Sequence, residues 1–118
     1  MHIEAIREYC LSKPYTTESL PFGDDTLVFK AADKIFLLAN LEGPLRISIK
    51  ASPEDVIDRL EKYPEVIPAY HLNKQHWIAV EMEHVTDSAL IKNWIDNSYG
   101  LILLSLPKRK RQELELPF

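Results

Sequence analysis

The chain has 118 residues, 46% hydrophobic and 27% charged, with three glycines and one cysteine. That is the size and make-up of one globular domain, able to bury roughly two-thirds of its unfolded surface without a metal or disulfide staple. The net charge is −4 but uneven: Lys108, Arg109, Lys110 and Arg111 stand together, and residues 1–106 hold ten Lys/Arg against sixteen Asp/Glu, a balance of −6. Such an acidic body argues against a whole-surface grip on nucleic acid and leaves a local one open.

Ile3, Ile6 and Cys10 repeat with helical spacing, which predicts an amphipathic helix over 2–12, stopped by Pro14. Cys10 falls in this pattern and reads as a buried structural thiol; as the lone cysteine it excludes an internal disulfide. The N-terminus lacks the continuous apolar region of a signal peptide, and no run reaches membrane-span length, so the expectation is a cytoplasmic protein with no membrane partner. Residues 15–25, rich in turn formers, read as a connector. Three strands are predicted at 26–31, 34–41 and 45–50, separated by "ADK" and "EGP", links short enough to make antiparallel neighbours. The second is apolar on both faces and reads as central. In the third, Leu45, Ile47 and Ile49 point one way and Arg46, Ser48 and Lys50 the other.

Ser52 is the expected cap of the next helix, with Pro53 at its first position and Glu54 and Asp55 in its first turn. Val56, Ile57 and Leu60 are expected to face inward. "EVIPAY" reads as extended, because Ile67 precedes a proline. "HLNKQHWIAV" follows at 71–80, a polar turn leading into a strand at about 77–82. Thr86 is the predicted cap of a third helix bearing Leu90, Ile91, Trp94 and Ile95. "DNSYG" interrupts that stripe, so Ser98 reads as the cap of a fourth helix ended by Pro107. The order α-β-β-β-α-β(β)-α-α predicts an α+β two-layer domain over 1–107, a mostly antiparallel sheet with helices on one face. Residues 108–118 read as a basic, flexible tail.

The side chains give no sign of catalysis. His71 and His76 are five apart, which sends them to opposite faces of a strand, and no further ligand stands at metal spacing. No "GxSxG" is present, and "LEGP" lacks the Lys-Ser/Thr ending of a phosphate loop. An enzyme would need a concave pocket where His71, His76 or Tyr99 converges with a carboxylate. Binding fits better: His71, Asn73, Lys74 and His76 can donate hydrogen bonds, Trp77 offers a flat ring, and residues 108–111 can hold phosphates. The same groups also suit a tight turn, a covered sheet and a solvated helix end.

"YCLSKP", "KIFLL", "HLNKQHW" and "SYGLILLSLPKRKR", in this order and spacing, resemble the MmcQ/YjbR family of small bacterial proteins over essentially the whole chain. The resemblance implies an antiparallel α+β fold of the CyaY-like and secretion-chaperone-like kind. It also implies DNA binding through a double-wing arrangement of hairpins, and no catalytic residue, cofactor or metal. Carried over residue by residue, the motif gives His71, Asn73, Lys74, His76, Trp77, Ser98, Tyr99, Pro107, Lys108 and Arg111. The expectation is therefore a non-enzymatic DNA-binding domain, monomeric or weakly dimeric. Its contacts would be Lys74, His76, Trp77 and Lys108, Arg109, Lys110 and Arg111, with Lys30, Arg46, Lys50, His71 and Asn73 as second choices. The alternative is a protein-interaction or chaperone-like module.

Overall fold

A computed structural model describes all 118 residues. The elements are α1 (Ile3–Leu11), β1 (Thr16–Ser19), β2 (Thr26–Ala31), β3 (Lys34–Asn40), β4 (Arg46–Lys50), α2 (Pro53–Lys62), β5 (Val66–Pro68), β6 (Trp77–Glu81), a 3-10 turn (Met82–His84), α3 (Ser88–Leu104) and α4 (Lys108–Glu113). The six strands form one sheet in the order β1-β2-β3-β4-β6-β5, antiparallel throughout. This is the expected α+β architecture. β3 and β4 are its central strands, and β1 and β5 its edges.

Alternation along the strands sorts the two faces. Leu27, Phe29, Leu37, Ala39, Ile47, Ile49, Ile78 and Val80 join Ile6 and Cys10 of α1, Val56 of α2 and Ile91, Trp94 and Ile95 of α3 in one core. The helices therefore lie on one face of the sheet. Cys10 is fully buried there, and loss of solvent pushes its thiol up to about 12, as expected of a structural cysteine. The turn between β2 and β3 is two residues long, and Ala32 and Asp33 both have positive φ (48° and 69°), as a tight hairpin whose twist matches its strands requires.

The structure departs from the sequence reading at five places. The connector 15–25 contains β1, an edge strand of Thr and Glu that has no apolar run to announce it and pairs with β2. On α2, Ile57 is 60% exposed, and Arg59 takes the inward position. Val56, Arg59, Leu60 and Tyr63 then form the buried stripe at helical spacing, and the Arg59 guanidinium lies 4.7 Å from the centroid of the Trp94 ring. Burial lowers the pKa of Arg59, and Asp55 at 3.8 Å opposes that shift. Asp87, not Thr86, caps α3 by accepting from the Leu90 N–H at 3.1 Å.

The fourth departure is the largest. α3 runs unbroken through "DNSYG", and Ser98 sits in its interior, fully buried, instead of capping a new helix. A register shift opposite Phe29 and Lys30 makes Phe36 an extra residue in β3, so Phe36 and Leu37, though consecutive, both enter the core. The rung after Leu37–Ile49 would join Phe36 to Lys50. The Ser98 hydroxyl fills that gap: it donates to the Phe36 carbonyl (2.6 Å) and accepts from the Lys50 N–H (2.9 Å). A polar residue in mid-helix is thus used to satisfy two strand groups that the bulge separates.

Residues 108–113, at the start of the segment read as a tail, form α4. Leu106, Leu114 and Leu116 around it pack on the core, and the Tyr15 hydroxyl donates to the Leu114 carbonyl at 2.9 Å. Lys34 reaches the Ser105 carbonyl and hydroxyl at 3.4 Å. α4 is therefore tied to the helix side of the sheet, near β1 and the β2–β3 turn.

Candidate functional site

The opposite, helix-free face of the sheet is not a simple wet surface. A continuous row crosses it in register: Ser19, Val28, Leu38, Ser48, Ala79 and Ile67, one from each strand. Val28 and Ala79 are buried although they lie outside the main core. A second row, Thr26, Asn40, Arg46 and Glu81, runs beside it. Leu38, Ser48, Ala79 and Ile67 of the first row and Thr26, Asn40 and Arg46 of the second floor a groove of about 360 Å³. Its walls come from the two sides of the sheet: Phe22, ahead of β2, and the segment from Pro68, the last residue of β5, to Leu72. Phe22 and Tyr70 are 64% and 66% exposed, high for aromatic rings.

Charge on this face differs from that of the whole. Alternation puts Lys30, Arg46 and Lys50 on its strand positions, together with one carboxylate, Glu81, opposite Arg46. The groove itself is lined by Arg46, His71 and neutral residues, with no Asp or Glu. Arg46 is exposed and takes part in none of the ion pairs of the molecule. On its other side Arg46 borders a smaller hollow of about 140 Å³ that includes Glu42, Glu81 and Glu83. A cation-bearing groove thus lies beside an acidic margin.

The polar motif 71–77 divides into turn-making and surface groups. Asn73 builds the turn: its side chain accepts from the Gln75 N–H at 2.9 Å, and its carbonyl from the His76 N–H at 3.1 Å. The His76 carbonyl accepts from the Ala51 N–H at 2.9 Å, fastening the end of the turn to the residue that follows β4. Lys74 extends over the Tyr70 ring, 5.6 Å from its centroid. Trp77, half-buried, opens β6 opposite Lys50 on the helix-free face. His71 lines the groove; His76 does not, and Tyr99 is on the helix side, edge-on to Phe36 at 5.4 Å with its hydroxyl donating to the Pro14 carbonyl. The three side chains are therefore dispersed, and His71 alone of them lines the groove.

The basic run does not join this surface. Lys108, Arg109, Lys110 and Arg111 are on α4, on the helix side, where Arg109 pairs with Glu113 at 3.4 Å. The structure instead brings Lys30, Arg46, Lys50, His71 and Trp77 to one face and adds Phe22, Tyr70, Asn40, Thr26 and Ser48. Two signals for that face were present in the strand patterns: the outward alternation of Arg46, Ser48 and Lys50, and apolar Val28 and Leu38 at outward positions, which mark a face that is partly covered. Nothing local marks Phe22 or Tyr70. No group of three or more His, Cys, Asp or Glu side chains is placed to hold a metal ion, and no helix is long and apolar enough to cross a membrane.

Comparison with known proteins places this geometry in context. The YjbR family model matches residues 11–101. The uncharacterized protein YbdF of Escherichia coli O157:H7 is 33% identical over 112 residues, covering 94% of this chain and 92% of that one. The uncharacterized protein YjbR of Escherichia coli K12 is 30% identical, covering 97% and 98%. Among solved structures, the Deinococcus radiodurans protein DR2400, with a DUF419 domain, superposes with a TM-score of 0.87 at 32% identity, covering 98% of this chain and 88% of that one. A Pseudomonas syringae protein gives a TM-score of 0.75 at 29% identity, covering 86% and 99%.

Proposed function

This chain belongs to the YjbR family, and we propose that within this fold it is a non-enzymatic nucleic-acid-binding domain whose contact surface is the helix-free sheet face, not the basic run. The observation that carries this reading is the charge of that face. In a body of net −6, its strand positions carry Lys30, Arg46 and Lys50 against one carboxylate. Arg46 and Lys50 are four residues apart on one strand, about 13 Å, so they meet well-separated phosphates, with the groove between them. Lys74, His76 and Trp77 flank the Lys50 end. Lys108 and Arg109 face away.

Fluorescence anisotropy against a mixed-sequence oligonucleotide over a salt series tests this. With about three phosphates neutralised, log K should fall against log salt with a slope on the order of −2 to −3. The pair Arg46→Glu and Lys50→Glu should weaken binding at least about ten-fold and flatten the slope, while neutralising Lys108 and Arg109 should leave both nearly unchanged. The reverse ranking would reject the sheet face as the contact surface.

A second reading is favoured by the apolar floor and the exposed Phe22 and Tyr70: an extended protein segment lying in the groove. Its binding would be nearly independent of salt, which separates it from the first.

A further inference from the structure

The groove on the helix-free face has a shape, an aromatic lining and a charge pattern that favour one form of nucleic acid over another. Resting on the nucleic-acid reading above, we infer that its ligand is single-stranded, held with bases stacked on Tyr70 and Phe22 and its backbone drawn to Arg46.

Three features of the face lead there. The first is aromatic. Phe22 and Tyr70 belong to opposite walls of the same groove, with β3, β4 and β6 between β2 and β5. Four inter-strand steps put the two sides of the sheet about 19 Å apart. Two exposed rings so placed offer separate platforms to unstacked bases a few nucleotides apart along one strand. In a duplex the base faces are hidden inside the stack and cannot use them. The Lys74 ammonium over the Tyr70 ring keeps positive charge beside that platform.

The second is shape. The surface is concave and floored by small or neutral side chains, Ser48 and Ala79 at its centre, with Thr26 and Asn40 on one side able to meet base edges. The helices pack on the opposite face, so none is placed to enter a duplex groove from this one. A single strand needs no such projection, because it can lie down in the hollow.

The third is the limited reach of the positive charge. Past Arg46 come Glu42, Glu81 and Glu83. A narrow strand ending at Arg46 avoids them. A duplex covering the same groove would bring its second phosphate rail against this acidic margin, where like charges repel.

The test compares short fluorescein-labelled oligo(dT) and oligo(U), run side by side to separate DNA from RNA, with a duplex of equal length at low salt. Wild-type protein should bind at least one single strand about ten-fold or more tightly than the duplex. Tyr70→Ala should weaken that binding about ten-fold, and Phe22→Ala should weaken it in the same direction. Both side chains are mostly exposed, so thermal unfolding of either variant should match wild type. The wild-type comparison of single strand with duplex stands whatever the variants do. Duplex binding equal to or tighter than single-strand binding, or full-strength single-strand binding by Tyr70→Ala, overturns this inference and leaves the broader reading in place. Failure of all three polymers to bind overturns both.

Discussion

Ser98→Ala is expected to destabilise the domain by about 2–5 kcal/mol although it removes only one oxygen atom. The substitution opens almost no cavity, so the cost comes from polar groups. Each buried backbone group stripped of its partner costs about 1–3 kcal/mol, and here two lose theirs at once: the Phe36 carbonyl and the Lys50 N–H. Neither recovers a partner by joining the other, because the bulge at Phe36 holds β3 away from β4 at that rung. Urea unfolding measures the change as a shift in midpoint at constant slope. A loss below about 0.5 kcal/mol would mean that the strands close the gap themselves and that the hydroxyl is not needed. The consequence reaches the groove, since Leu38 and Ser48 of its floor lie on the two strands that Ser98 ties together.

Trp94→Ala should cost about 3–5 kcal/mol, the usual range for deleting a large buried aromatic. Trp94 is 5% exposed and lies in contact with Arg59 of α2 and with Tyr63, the residue that follows that helix: Tyr63 meets the ring edge-on at 4.9 Å, and Arg59 lies across it. The variant thus opens a cavity and removes the flat surface that covers a buried cation. One guanidinium nitrogen of Arg59 already has no hydrogen-bond partner. Arg59→Met tests this second part, because it keeps the bulk and removes the desolvated charge. It should be near neutral or stabilising in wild type and should recover part of the loss in the Trp94→Ala background. A large loss from Arg59→Met alone would show that Arg59 contributes through a charge interaction and not by packing.

Much of this fold was legible because local signals agreed. The turns after β2 and β3 left hairpins as the only short connection. Ser52, Pro53, Glu54 and Asp55 marked the start of α2, and the Ser52 hydroxyl does accept from the Asp55 N–H at 3.2 Å. The misreadings share a cause: each residue's role depends on a distant partner. Thr16–Ser19 is a strand because β2 offers it an edge. Arg59 is buried because Trp94 of α3 covers it. Ser98 reads as a cap until the bulge in β3 supplies two groups for it to bridge. The site shows the same division. Outward alternation gave Arg46 and Lys50 their face, but Phe22 and Tyr70 meet one groove only once five strands have been laid side by side. Whether the basic run shared that face depended on contacts such as Tyr15 to Leu114, 99 residues apart.

The claim that binding occurs on the helix-free sheet face is tested most directly by titrating ¹⁵N-labelled protein with oligo(dT) and following the backbone amide resonances. Shifts should concentrate at Asn40, Arg46, Ser48 and Lys50 and along 69–72, with α4 unmoved. Shifts confined to residues 108–113, or spread over the helix side while these strand amides stay fixed, would contradict it.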